Sequence, residues 1–269
     1  MRIASASHVD FALVMIGLGI LGLIKGDFVA VWQPVPKGVP AREVLVYFAA
    51  LVSLASGIGL LVRNTAALAA RVLLASLLLW FLLWRIYPLF IATFVEGTWS
   101  MGHTLVMEAA VWVLFVWFAT DWDQQRLRFA TGDKGLRIAR VLFAIGLIPF
   151  GYAHFAFVKR TAEMVPGWLP GHLFWAYFTG ITFIVAAVAV IIGVFARLAV
   201  ALTALQMGLF TLLVWVPRVA TGTLNAFEWG EVVASVALTA AAWVVADSYR
   251  GTPWLVVRAK LNQSMKENA

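Results

Sequence analysis

Apolar residues fill eight long stretches of the chain, and short polar segments separate them. An α-helix rises about 1.5 Å per residue, so about 20 apolar residues cross the hydrocarbon layer of a bilayer. Runs such as 72–84 and 183–194 do not alternate between polar and apolar residues, as strands of a membrane β-barrel would. The pattern therefore predicts eight transmembrane helices, at about 9–31, 44–62, 66–90, 101–120, 138–158, 172–193, 198–216 and 230–246.

The composition agrees with a protein whose solvent is lipid. Of 269 residues, 63% are hydrophobic and 12% are charged, and the mean hydropathy is +0.92. Soluble domains are about 45–50% apolar and about 25% charged, so the composition excludes a soluble enzyme. The sequence has no cysteine, which excludes disulfides, thiolate metal sites, protein-ligated iron–sulfur clusters and cysteine nucleophiles.

The distribution of Lys and Arg predicts the orientation in the membrane. Eight spans put both termini on one side, and that side collects 13 of the 20 basic residues. Basic loops favour the cytoplasm, so we expect a bacterial inner (plasma) membrane protein with cytoplasmic termini. The net charge of +7 then indicates contact with anionic lipid and not with nucleic acid. The first stretch is too long for a secretory signal peptide and is expected to be a retained span.

The two halves of the sequence resemble each other. Tyr47-Phe48-Ala49 in the first half recurs as Tyr177-Phe178-Thr179 in the second, and Pro36 recurs as Pro166. Each half has four spans, so both run in the same sense, as parallel repeats do. We predict two tandem four-helix bundles at 1–120 and 137–248, a cytoplasmic hinge at 121–136 and a basic cytoplasmic tail at 249–269 on the lipid surface.

Three elements of the second half carry a family resemblance. They are Gly151 with His154 one turn later, the loop Val-Pro-Gly-Trp-Leu-Pro at 165–170, and the following Tyr-Phe-Thr-Gly at 177–180. In these elements the sequence resembles the DoxX-like family of small four-helix membrane proteins. The resemblance implies a membrane subunit of an oxidoreductase system. Related DoxD-type proteins are associated with thiosulfate oxidation coupled to quinone reduction, so quinone is the expected cofactor.

Ionisable side chains inside spans are functional candidates, because each costs about 2.5–3.5 kcal/mol on insertion scales. His103, His154 and His172 all fall toward the non-cytoplasmic ends of predicted spans. His154 ranks first, since an imidazole can hydrogen-bond a quinone oxygen and change protonation near neutral pH. The alternative is an interfacial histidine that bonds a neighbouring carboxylate.

Several charged residues are expected at the same depth as the histidines. Glu108 is the deepest acid and needs a partner or a proton, and Arg85 is its candidate partner, in a structural bridge or a proton relay. Lys25 is the repeat counterpart of His154; the alternative is a snorkelling lysine paired with Asp27. Glu231 takes the place of His103 in the repeat, and either a functional role or a solvated helix start fits it.

Other chemistries find little support in the sequence. It has no His-x-x-His or Glu-x-x-His pair, so no metal site is predicted, and haem held by His103 and His154 is disfavoured. Phosphate-binding glycine motifs, nucleophile elbows and dinucleotide fingerprints are absent. Pro149 lies within the fifth span and is expected to kink it and to aim His154 inward.

These features predict the membrane subunit of a quinone-linked oxidoreductase system, with a polar pocket near the periplasmic side. Its expected partners are the lipid bilayer and a redox partner protein or larger membrane complex. The alternatives are a non-catalytic scaffold or assembly subunit and a small-molecule transporter, so catalysis itself is left open. The expected catalytic residues are His154 and Glu108. The expected substrate- or quinone-binding residues are Lys25, Arg85, His103, Tyr152, His172, Arg218 and Glu231.

Overall fold

A computed structural model describes residues 4–28, 33, 35–86 and 94–256, with the backbone alone at 94–97. The predicted span ends at 29–31 and 87–90 and the tail beyond 256 lie outside the described residues. The described chain is helical and has no strand. The helices are α1 Ala6–Lys25, α2 Arg42–Leu61, α3 Ala66–Trp84, α4 Phe94–Phe118, α5 Asp121–Arg126, α6 Gly132–Ala156, α7 Val158–Met164, α8 His172–Ile192, α9 Ala196–Phe210, α10 Val216–Thr221 and α11 Ala226–Asp247.

Within the described residues, eight helical segments are long and apolar enough to cross a membrane, which confirms the predicted all-helical fold with eight candidate spans. Several bounds differ from the prediction by five residues or more, among them the end of α1 at Lys25, the end of α3 at Trp84 and the start of α4 at Phe94. Two further differences affect the predicted hinge and the seventh span. The fifth span begins at Gly132, within the segment predicted as a hinge. The seventh runs over Ala196–Thr221, because a π-helical turn at Thr211–Trp215 joins α9 to α10 without a break.

The eight spans alternate in direction, which defines two faces of the molecule. The terminal face carries the start of α1 at Ala6 and the end of α11 at Asp247. The distal face carries the end of α1 at Lys25 and the start of α11 at Ala226. The predicted site residues other than mid-span Glu108 lie toward the distal face.

Helices α4 and α11 form the centre of the packing. Helix α4 packs against α3, α6 and α11, and α11 packs against α1, α4 and α9. The remaining main contacts follow the chain: α1 with α2, α2 with α3, α6 with α8, and α8 with α9. The helices of each half therefore pack in the same order, although their origin as copies of one unit stays a prediction.

Small residues bring the first two spans of each half close together. A Cβ on Gly22 would lie 2.9 Å from the Cβ of Ala50, and a Cβ on Gly151 would lie 2.8 Å from the carbonyl oxygen of Gly180. Without an aqueous driving force, helices in lipid associate through such close backbone approach. These glycines therefore set the α1–α2 and α6–α8 spacings.

The predicted hinge at 121–136 is tied to the bundle. Helix α5 lies within it, and the buried carboxylate of Asp123 accepts hydrogen bonds from the backbone and hydroxyl of Thr120 at 2.7 and 2.8 Å. Arg71 Nη2 also donates to this carboxylate, at 2.7 Å, and Arg71 Nε forms an ion pair with its other oxygen. The indole of Trp112 donates to the carbonyl of Ala130. The segment is thus a packed connection on the terminal face.

Two arginines hold the described part of the predicted tail against the terminal face. The guanidinium of Arg140 lies 3.8 Å from the ring centroid of Tyr249, and that of Arg197 lies 4.0 Å from the ring centroid of Trp254. They also donate to the carbonyls of Ser248 and Thr252. These cation–π contacts and hydrogen bonds place residues 248–256 across the ends of α6 and α9.

The ion pair between Arg71 and Asp123, in the segment at 121–136, generates a prediction about stability. Burial by itself raises the pKa of Asp123, but the hydrogen bonds from Arg71 and Thr120 outweigh it and hold that pKa below its ordinary value. Asp123→Asn should lower the free energy of unfolding by about 2 kcal/mol at pH 7, the usual range for bonds to a charged group. Thermal unfolding in detergent, followed by tryptophan fluorescence, measures this loss.

The pH dependence of the same variant follows from the direction of the shift. Because the pKa of Asp123 is lower in the folded state, the ionised carboxylate stabilises the fold fully above its ordinary pKa of about 3.9. This stabilisation is lost as the pH falls through the folded-state pKa. The difference between the wild type and Asp123→Asn should therefore shrink below about pH 4. Asp121→Asn is the control, because Asp121 is exposed and forms no ion pair among the described residues. An equal loss of unfolding free energy in both variants would contradict the stabilising role of the Arg71–Asp123 ion pair.

The loop before α8 generates a second prediction. Gly171 precedes the helix with φ of +76°, in the left-handed region, and open space surrounds Gly167 in the same loop. Gly171→Ala should destabilise the protein by about 1 kcal/mol through backbone strain, whereas Gly167→Ala should have almost no effect. Parallel thermal unfolding of the two variants checks this, and equal melting temperatures would refute it. Ala41, at the same place before α2, already adopts φ of 54°.

Candidate functional site

Six rings from four helices form a continuous chain toward the distal face, which we call the aromatic cluster. Neighbouring ring centroids are 4.8–6.0 Å apart, and most pairs meet edge to face or tilted. Such contacts contribute about 0.5–1.5 kcal/mol each beyond simple burial. The cluster runs in the order Trp99, His103, Phe150, Phe183, His154 and Phe210.

Both histidines of the cluster use one ring nitrogen in the same way. His103 Nδ1 lies 3.0 Å from the carbonyl oxygen of Trp99, and His154 Nδ1 lies 2.8 Å from that of Phe150. Each carbonyl belongs to the residue four positions earlier on the same helix. A carbonyl oxygen only accepts, so Nδ1 must carry the hydrogen in both rings. In the neutral imidazole, Nε2 is then left with a lone pair and no hydrogen.

The two histidines differ in access. His103 is buried, with 4% of its surface exposed, between the rings of Trp99 and Phe150. His154 is half-buried, lies face to face with Phe210 at an interplanar angle of 20°, and has Phe183 tilted against it. Among the described residues, no group forms a hydrogen bond with Nε2 of His154. His154 is therefore the accessible acceptor of the cluster.

Glycines position both histidines by allowing close helix contacts. A Cβ on Gly180 would lie 2.9 Å from the Cβ of His154. A Cβ on Gly102, next to His103, would lie 2.8 Å from the carbonyl oxygen of Gly146 and 3.1 Å from the ring of Phe150. The cluster thus depends on backbone approach as much as on its rings.

A second group of polar side chains lies beside His103 on α4. The side chain of Arg85 is completely buried, and its Nε donates to the hydroxyl of Thr104 at 2.7 Å. Glu108 lies one turn further, at the middle of the span, with 2% of its surface exposed. Its Oε2 has no hydrogen-bond partner among the described residues. Of the two alternatives for Arg85 and Glu108, the structural bridge is not found, since the ion pairs of the described residues include none between them.

Four predicted binding residues lie apart from the rings of the cluster. Lys25 is exposed, Tyr152 is 43% exposed, and His172 is half-buried at the first position of α8. Arg218 forms an ion pair with Glu228 at 3.2 Å. Of the predicted set, His103 and His154 both contact Phe150. Arg85 donates to Thr104, the neighbour of His103, and Glu108 lies one turn further along α4.

The alternative interpretation of Lys25 is also corrected. Asp27 pairs with Arg42 at 2.6 Å, and the described ion pairs include none between Asp27 and Lys25. Burial opposes ionisation, yet the hydrogen bonds from Arg42 and the Phe28 amide together hold the pKa of Asp27 below its ordinary value. Arg42 reaches Asp27 because α1 and α2 pack closely at this end.

Glu231 belongs to a separate polar row on α11. Its Oε1 is buried without a hydrogen-bond partner among the described residues. Ser235 and Thr239 follow at intervals of four residues, and their hydroxyls lie 2.8 and 3.1 Å from the hydroxyl of Thr211. Thr211 opens the π-helical turn, a feature that often marks functional sites. We call Glu231, Ser235, Thr239 and Thr211 the hydroxyl row.

The sequence analysis missed the phenylalanines that surround His154. The rings in contact with His154 are Phe183 and Phe210, which lie on other helices. Tyr152, two residues before His154 in the chain, is exposed. Phe150 was detectable, because a residue four positions before His154 shares its helix face.

Two cavities of the described chain lie away from the aromatic cluster. They are between α1, α2 and α3, against Ser53 and Trp80, and the larger has a volume of about 30 Å³. That space holds one or two water molecules. Among the described residues, no three His, Asp or Glu side chains are grouped to hold a metal ion.

Comparison with known proteins leaves the family undecided. The chain matches no family model, no curated protein and no solved structure. The DoxX-like resemblance therefore stays a prediction.

Close packing at Gly180 generates a prediction about the site. Gly180→Ala should force His154 and Phe155 to move and should lower the free energy of unfolding by about 1–3 kcal/mol, as overpacking does. Gly208→Ala is the control, since its Cβ would meet only Thr239 at an ordinary 3.5 Å. Thermal unfolding of both variants tests the difference, and an unchanged melting temperature for Gly180→Ala would show that His154 is not held by this contact.

Proposed function

We propose that this protein is a membrane subunit of a quinone-linked oxidoreductase system and that it binds a quinone-type ring at the aromatic cluster. The observation that carries the proposal is the contact of His154 with Phe183 and Phe210, next to an Nε2 that forms no hydrogen bond with the described residues. Sites for such flat ligands combine apolar aromatic walls with a few placed polar groups.

The residues of the cluster fit the chemical character of this ligand. A bound quinone supplies two-electron, two-proton redox chemistry. Phe183 and Phe210 offer ring faces and edges for stacking, and His154 offers one hydrogen-bonding atom at the edge of the rings. His103 continues the row of rings toward α4 and is too enclosed to meet a large ligand directly.

We assign Glu108 the role of a proton-holding group. It lies five residues after His103 on α4, in the most buried of the eight spans, and its Oε2 is without a partner in the described chain. A carboxylic acid in such a place is a candidate for proton relay. Arg85 and Thr104 lie between it and the distal face, where they orient the polar end of α4.

The setting of the protein is part of the same proposal. The distal face would be periplasmic, with cytoplasmic termini in a bacterial inner membrane, because basic residues are concentrated on the terminal side. Membership of the DoxX-like family is proposed on the elements at 151–180. A partner protein or a larger membrane complex would supply further redox centres, since the chain has no cysteine to ligate them.

A small-molecule transporter is the second candidate, and the hydroxyl row favours it. Glu231 and the linked hydroxyls of Thr211 and Ser235 form polar groups along α11 beside an irregular helical turn. Transporters place substrate groups at such interruptions of spans. The aromatic cluster, in contrast, contains no row of polar groups that would pass a hydrophilic solute. Its apolar rings suit a quinone-type ring, so we prefer the redox function.

The content of bound quinone tests the first candidate. Protein purified without oxygen from membranes in mild detergent should carry about one isoprenoid quinone per chain in its reduced form, as measured by solvent extraction and mass spectrometry. His154→Ala should reduce this content about tenfold, the effect of losing one hydrogen bond of about 1.4 kcal/mol. His8→Ala is the control, because His8 lies at the start of α1 on the terminal face, away from the aromatic cluster, and contacts the carbonyl oxygen of Leu60.

The other outcomes identify the alternatives. Equal quinone content in both variants, or none in the wild type, would contradict the proposed site. Co-purification with other membrane subunits and no ligand would favour a scaffold or assembly subunit. Solute uptake into proteoliposomes that Ser235→Ala abolishes would favour the transporter.

A further inference from the structure

We infer that the aromatic cluster binds the hydroxylated, reduced form of a quinone-type ring in preference to the carbonyl, oxidised form, with Nε2 of His154 accepting the hydroxyl hydrogen. This inference rests on the proposed function and specifies which form of the ring the site takes. It follows from the hydrogen-bond partners of the imidazole and from the rings around it.

The first step is the fixed direction of the hydrogen bond at Nδ1. The carbonyl of Phe150 has no hydrogen to donate, so the 2.8 Å contact exists only with the hydrogen on Nδ1 of His154. Moving that hydrogen to Nε2 would set a nitrogen lone pair against a carbonyl lone pair at the same distance. The helix itself therefore selects the tautomer.

The second step is the protonation state. The described ion pairs include none to His154, and its ring neighbours are phenylalanines. An imidazolium would need a nearby anion or water to compensate its charge among apolar rings. The neutral ring is the form that suits these surroundings, and its Nε2 is an acceptor only.

The third step is the chemistry of the ligand. A quinone oxygen is a carbonyl and only accepts, so it would face the lone pair of Nε2 without a hydrogen between them. A quinol oxygen carries a hydrogen and can donate it to Nε2. The same rings stack on either form, so the difference in affinity arises at this one nitrogen.

His103 does not provide a second accessible acceptor. It has the same tautomer, fixed by the carbonyl of Trp99, but it is buried between two rings. His154 therefore makes the discriminating contact, and Gly180 is a positioning residue that sets how far the ring stands from α8.

The test compares the two redox forms of one probe. Purified full-length protein in lipid nanodiscs is equilibrated without oxygen with a decyl-substituted benzoquinol or the matching benzoquinone. Bound probe is measured by mass spectrometry against empty nanodiscs, which corrects for partition into lipid. The wild type should bind the quinol about tenfold more tightly, the difference that one hydrogen bond makes.

Two substitutions at the histidine locate the discrimination. His154→Leu removes the acceptor and should bring the two affinities within about twofold of each other, both weaker than the wild-type quinol affinity. In His154→Gln the amide can donate as well as accept, so it should gain quinone binding relative to the wild type. His8→Gln is the control and should keep the wild-type preference, because His8 lies at the start of α1 on the terminal face and contacts the carbonyl oxygen of Leu60. Melting temperatures establish that each variant is folded, and His154→Gln keeps the test valid if His154→Leu does not fold.

The outcomes separate this inference from the function on which it rests. Equal binding of both forms by the wild type, or tighter binding of the quinone, overturns the inference and leaves a quinone site in place. A tenfold preference that persists in His154→Leu overturns the role of Nε2. Absence of binding of either form contradicts the proposed function itself.

Discussion

Lipid offers no hydrogen bonds, and the polar side chains of the spans answer this constraint in one repeated way. Several hydroxyls and the imidazoles of His103 and His154 donate to the carbonyl four residues earlier on their own helix, so they need no partner from another helix. This bond fixes the orientation of each side chain relative to its own helix. It occurs at Ser53, His103, His154, Thr179, Thr203, Thr211 and Thr239. For a hydroxyl, the bond only supplies a hydrogen-bond partner. For a histidine, it also decides which ring nitrogen can still accept a hydrogen bond.

Close helix approach then determines what surrounds that nitrogen. Gly180 lets α8 pass against the Cβ of His154, and this brings Phe183 onto the imidazole. Gly102 and Gly146 do the same between α4 and α6, where His103 meets Phe150. The site is therefore a product of small residues, which make no chemical contribution themselves and yet decide which rings meet.

The sequence predicted the eight spans well, because helices in lipid are specified by length and apolar composition alone. It predicted the ends less well. The fifth span begins earlier because the polar segment before it is helical and anchored through Asp123 and Trp112. The partners of His154 were not predictable, since contact between α6, α8 and α9 depends on tertiary packing and not on spacing within one helix. The sequence left a bridge and a proton relay open for Arg85 and Glu108; charge alone could not show that the guanidinium Nε donates to Thr104.

The two halves differ chemically at Lys25 and His154, which the sequence comparison of the halves aligns. Lys25 ends α1 as an exposed ammonium that can only donate, and the neighbouring carboxylate of Asp27 is occupied by Arg42. His154 stands one turn before the end of the equivalent span α6 as an acceptor among aromatic rings. If the halves are copies of one unit, both have kept a pair of helices that pack closely at glycines. The aligned side chain is a hydrogen-bond donor in the first half and an acceptor in the second. In a duplicated fold of this kind, one half can lose a ligand contact while the fold is kept. The difference between Lys25 and His154 therefore favours the second half as the location of the ligand site and gives the first half a structural role.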